Sequence, residues 1–178
     1  MTNVAAGLGI LLLLAVVAFL AITTFNSVVS LRQQIDKAWA NIDVALQQRH
    51  DELPRLVDAV RGVMEFERDT FAAVTEARAQ YNRQAPIPDQ AANSKETSAA
   101  VAGLLAVVER YPQLTAQDNV MDLQREITRL EGVIADRREV YNDSVYRYNT
   151  RIRTFPTNIL ASAMGWAERP FFNAPNGR

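Results

Sequence analysis

From Thr2 to Ser30 no side chain is charged, and twelve of the residues between Val4 and Thr23 are Leu, Ile, Val or Phe, with Leu11 to Leu14 in succession. About 20 such residues at about 1.5 Å each make roughly 30 Å of helix, the hydrocarbon thickness of a bilayer. Residues 1–25 are therefore expected to form a transmembrane anchor, and all that follows Arg32 to act beside lipid. A cleaved secretory signal is the competing reading. Such signals have a basic n-region, an apolar run of about 7 to 15 residues and a small-x-small cleavage site. Here no Lys or Arg precedes Arg32, the run is longer, and the small residues around Ala18 to Ala21 are wrongly spaced.

Lys and Arg hold their flank of a membrane helix in the cytoplasm. Arg32 and Lys37 follow the anchor and none precedes it, so the expected topology is a single pass through the inner cell membrane with the N-terminus outside. The absence of cysteine excludes disulfides, thiolate chemistry and Cys-ligated metals. A net charge of -1, with seventeen arginines interleaved among twenty acids, leaves no broad basic surface, so nucleic acid is not an expected partner.

Beyond the anchor the chain reads as amphipathic helices. The first continues the anchor to Arg49 with the stripe Val28, Leu31, Ile35, Trp39, Ile42 and Leu46. Asp51 can cap a second helix with Pro54 in its first turn, which places a reversal near His50. Its seam is Leu53, Val57, Val60, Met64, Glu67, Phe71, Val74, Arg78 and Tyr81. Asn82 to Lys95, with Pro86 and Pro88, is the main loop; Asn93 and Glu96 then offer a capping box for a third helix that Pro112 ends. The last long helix starts near Asp118 and keeps one stripe from Val120 to Phe155 before Pro156. A short segment, Asn158 to Trp166, precedes a disordered-looking tail.

The fold class expected is all-α: a transmembrane helix continuous with an antiparallel up-down four-helix bundle over 26–156, then a membrane-proximal short helix and tail over 157–178. In that topology the fourth helix returns to the membrane, so Trp166, Phe171 and Phe172 either contact the lipid interface or plug the end of the bundle.

Few residues suggest reaction chemistry. His50, the one histidine, is expected as a solvated turn residue, and a nucleophile–base set or a Glu-x-x-His metal motif cannot be completed with it. No catalytic, cofactor or metal residues are assigned, and the chain is not expected to be an enzyme. Glu67 and Arg137 each interrupt an apolar stripe at similar heights on parallel helices; they either form a buried ion pair or snorkel to water. Tyr141-Asn142 and Tyr148-Asn149, seven residues apart, put two phenols on one face and two amides on the next, as polar core contacts that set register or as a ligand site.

Phe25-Asn26, Leu31-Arg32, Ala38-Trp39, Asn41 to Val44, Leu46, Arg49 and Asp51 to Val57 resemble the opening of the LemA family. So do Tyr111-Pro112-x-Leu114, Leu123-Gln124, Glu131, Ile134-Ala135, and the run Tyr141 to Val145, Tyr148-Asn149, Ile152, Phe155-Pro156 and Gly165-Trp166. Gly132, Leu130 and Arg55 depart from the residues usual there, Asn, Thr and Asn respectively. The resemblance implies a bacterial single-pass membrane protein with a helical bundle and no known enzymatic activity, some relatives being associated with organising specialised membranes.

Two functions follow as expectations. The first is a scaffold that contacts membrane lipids, self-associates into homo-oligomers and organises the membrane. The second is an adaptor that presents partners or substrates to a membrane enzyme such as a protease, recruiting through the Pro86-x-Pro88 loop. An enzyme acting alone is a distant third.

Overall fold

The charge-free opening of the chain is helical, and the helix outruns it. In a computed structural model describing residues 2–63, 67–115 and 117–173, helix α1 runs unbroken over 58 residues, Thr2–Ala59. It is long and apolar enough to cross a membrane. Leu8, Leu11 to Leu14 and Phe19 stay between 60 and 69 % exposed, a continuous apolar surface of a kind that water-soluble monomers rarely present.

α1 passes straight through His50, so the reversal expected there does not occur. Pro54 lies inside the helix, where its missing N–H and its ring cost about 3 kcal/mol. Leu53, Leu56 and Val60, at 1, 0 and 0 % exposure, outweigh that cost, since each buried side chain contributes about 1.5–3 kcal/mol. The chain turns only after Ala59, through a 3-10 turn at Arg61–Val63 that contains Gly62. The expected second helix therefore shrinks to α2, Arg68–Ala79, which buries Phe71, Val74 and Ala77.

Helix α3, Ile87–Arg110, begins earlier than the expected capping box. Pro86 serves as N-cap and Pro88 sits in the first turn, whose N–H groups have no intrahelical acceptor anyway. Asn93 is thus interior to α3, and its amide donates to the Ala77 carbonyl at 2.8 Å, tying α3 to α2. The expected loop contracts to the residues between Ala79 and Ile87. α3 ends before Pro112, as the sequence predicts, and a short α4, Pro112–Thr115, leads to α5, Asp118–Arg153. α6, Thr157–Met164, follows Pro156, and Gly165, at φ 65, takes the left-handed conformation that ends it. Among the described residues every regular element is helical.

Two packed units emerge, and neither is a continuous stretch of chain. In one, within 2–37 and 143–169, α1 buries Val28 and Ile35, α5 buries Val145, Tyr148 and Ile152, and α6 buries Ala161. In the other, within 38–142 and 170–173, the core joins Leu53 and Leu56 of α1, Phe71 and Val74 of α2, Val101, Leu104 and Val108 of α3, and Val120 and Ile127 of α5.

Gly132 faces open space, and a Cβ placed on it would meet nothing within 4 Å. No close helix approach requires it. Gly132→Ala is therefore expected to raise stability by about 0.5–1 kcal/mol, read as a higher denaturation midpoint in urea.

Candidate functional site

α3 changes character along its buried face. Gln90, Ser94 and Thr97 are buried near its start, whereas Val101, Leu104, Val107 and Val108 are buried near its end. Ser94, with the neighbouring Ser98, receives Arg49. This guanidinium projects from α1, is 3 % exposed, and donates to Ser98 Oγ at 2.9 Å, to Ser94 Oγ at 3.1 Å and to Glu131 Oε1 of α5 at 2.8 Å. Ser98 in turn donates to Glu131 Oε2 at 2.6 Å. One buried cation thereby joins three helices, with the carboxylate that balances it left 26 % exposed. The network floors a groove of about 360 Å³ that Lys95 and Arg138 flank and Phe172 and Asn173 close. With the carboxylate held by a guanidinium and no imidazole among these lining residues, the arrangement is a clamp and an ionic surface rather than a nucleophile with its base.

The second polar assembly explains the repeated Tyr-Asn pairs. Residues 167–173, expected to be disordered, are strapped along α5. In the first unit Tyr148 Oη donates to the Ala167 carbonyl at 3.1 Å. Asn149 holds both main-chain groups of Arg169, donating to its carbonyl at 3.0 Å and accepting from its N–H at 2.9 Å. In the second unit Tyr141 Oη donates to the Pro170 carbonyl at 2.9 Å, and Asn142 Oδ1 accepts from the Phe172 N–H at 2.8 Å. In each unit a Tyr-Asn pair of α5 thus holds main-chain groups of the tail. Asn149→Ala should cost about 1–2 kcal/mol and speed cleavage after Glu168 by a glutamate-specific protease, followed as the half-life of the intact chain.

Glu67 and Arg137 take separate partners and form no pair. Glu67 is the N-cap of α2, and its carboxylate accepts from Arg110 at 2.9 Å and from Tyr111 Oη at 3.1 Å. Arg137 donates to the Asn41 carbonyl at 2.6 Å. The expected heights relied on a helix beginning at Asp51, and the late turn removes that alignment. Trp166 is half-buried, its ring 5.7 Å from Phe25, and Phe171 is 39 % exposed. Phe172, for which lipid contact and packing at the bundle end were the two alternatives, is 2 % exposed and packs against Trp39 at 5.8 Å, which corrects the lipid-contact expectation for this residue. Arg49 is the residue that sequence reasoning missed. Its signal was present: Ile42, Leu46, Arg49, Leu53, Leu56 and Val60 continue one four-three stripe, hidden once the helix is broken at His50.

His50 is not a solvated turn residue either. It lies in mid-helix, stacked on Tyr81 with centroids 4.6 Å apart, and its Nδ1 is buried without a hydrogen-bond partner. Burial first, then the nearby Arg78 charge, push its pKa below the usual histidine value, against a smaller opposing pull from Asp51. Burial, followed by Asp43, moves Tyr81 upward. A histidine with a depressed folded pKa binds more protons unfolded, so its contribution is present above the ordinary value of 6.5 and is lost as pH falls below it. Melting temperature should therefore drop between pH 7.5 and pH 5 by less in His50→Gln than in the parent chain.

A helical body following one helix long and apolar enough to cross a membrane defines the class of protein. The chain belongs to the LemA family, whose model matches residues 38–178. It is 24% identical over 187 residues to magnetosome protein MamQ 2 of Paramagnetospirillum magneticum, covering 89% of this chain and 69% of that protein. Protein LemA of Metamycoplasma hominis is 24% identical over 165 residues, covering 92% of this chain and 75% of the relative. A shorter match to magnetosome protein MamQ of Magnetospirillum gryphiswaldense reaches 31% over 74 residues, 42% of this chain and 27% of that protein. Together with α1, these matches indicate a membrane-associated protein of the LemA family.

Proposed function

We propose that this chain is a non-enzymatic scaffold that spans the bacterial inner membrane once, self-associates and organises that membrane. The observation that carries the reading is α1 itself. One helix supplies both an exposed apolar span and, through Leu53 and Leu56, part of a packed core. An antiparallel four-helix arrangement of α1, α2, α3 and α5 around that core is part of this proposal. The relatives named as magnetosome proteins fit a role in arranging a membrane.

Co-expression of two differently tagged full-length copies tests self-association. Recovery of one tag with the other from detergent extracts is expected, and its absence would contradict the scaffold. Orientation is read from Gln84→Cys in the α2–α3 connection of this cysteine-free chain. Labelling only after the cytoplasmic side is opened is expected.

An adaptor role would use a different surface. Pro88 is half-buried in the first turn of α3, so the recruiting segment is not a free proline-rich loop. The groove flanked by Lys95 and Arg138 is the observation that favours an adaptor, and it suits an acidic partner segment. Reversing both charges would then abolish co-purification of that partner without disturbing self-association.

A further inference from the structure

We infer that α6 is a second membrane-seated element, lying in the same leaflet as the end of the α1 span, and that the groove between them holds an acyl chain of an anionic phospholipid. The inference rests on the anchor reading. Pro156, Ile159, Leu160 and Ala163 face Val17, Leu20, Ala21 and Thr24 of α1 across a groove of about 330 Å³. If Val4 to Thr23 fills the hydrocarbon, those α1 residues are the final two turns at its edge, and α6 is held at that depth by contact with them.

The chemistry of α6 suits that depth. No charged residue occurs from Thr154 to Ala167, and Phe155, Ile159 and Met164 are 75, 63 and 50 % exposed. Trp166, packed against Phe25 just beyond the span, is an aromatic of the interfacial kind. Every residue lining the groove is uncharged, and the surface continues into the exposed face of α1 that lipid must cover, which selects an acyl chain as occupant over a polar ligand. The headgroup chemistry follows from the surrounding cations. Arg153 and Arg169 are paired with Glu168 and Asp36, whereas Arg32, Lys37 and Arg151 of the same unit form no ion pair among the described residues and can meet an anionic phosphate.

The test uses the full-length chain with Trp39→Phe, Trp166→Phe and Ile159→Trp, reconstituted into phosphatidylcholine–phosphatidylglycerol vesicles whose acyl chains are brominated. The indole so placed is expected to lose about half its fluorescence or more relative to unbrominated vesicles. Normal fluorescence in protein that floats with the vesicles would overturn the inference while leaving the anchor intact; protein that fails to float would overturn both. Ala21→Phe, which fills the groove, is expected to remove the phosphatidylglycerol retained by the parent chain in native mass spectra, whereas Ser162→Phe is not. Equal retention by both variants would refute acyl-chain occupancy.

Discussion

Glu131→Gln should destabilise the fold by about 3 kcal/mol and Arg49→Met by only about 1 kcal/mol, although both remove the same ion pair. The asymmetry comes from exposure. Arg49 is 3 % exposed and Glu131 26 %, so neutralising the acid strands a guanidinium in the interior, whereas replacing the arginine leaves a carboxylate that water can reach. Methionine also fills much of the space of the arginine stem, and the Ser98 hydroxyl retains its contact with the Ser94 carbonyl at 3.0 Å. The double variant should recover most of the loss seen in Glu131→Gln. Urea denaturation of all four proteins in one detergent closes the cycle, and equal costs for the two single variants would show that Arg49 is not the strained partner.

The second large effect concerns the anchor. Leu12→Arg with Val16→Arg places two cations one turn apart on a surface that is 69 and 49 % exposed in the protein alone and meets lipid in the membrane. At about 2.5–3.5 kcal/mol each near the centre of a span, the pair opposes insertion by roughly 6 kcal/mol. The variant should leave the alkali-resistant membrane fraction almost entirely. Leu12→Ala with Val16→Ala should remain there. Retention of the arginine variant would mean that residues 4–23 do not cross the hydrocarbon.

Where the chain's physics is local, the sequence is legible. α5 follows its stripe from Val120 to Ile152 and ends before Pro156, and α3 ends before Pro112, because periodicity and proline both act within a turn or two. Pro54 and Pro88 depart from the sequence pattern for a shared reason. A proline is tolerated in a helix interior or a first turn according to what the neighbouring residues bury, and burial is a tertiary property. Moving the turn from His50 to beyond Ala59 then displaced Glu67 from mid-helix to an N-cap and concealed Arg49 on its stripe. The heptad spacing of Tyr141, Asn142, Tyr148 and Asn149 correctly announced polar contacts. What it could not announce was their partner, since the groups these side chains hold are main-chain groups, which every residue carries.

Native mass spectrometry of the protein extracted directly from membranes bears most closely on the anchored, self-associating scaffold. The account predicts species at whole multiples of 19.9 kDa above one, each protomer retaining residues 1–30. A monomer at micromolar concentration, or protomers that begin beyond Ser30, would contradict it.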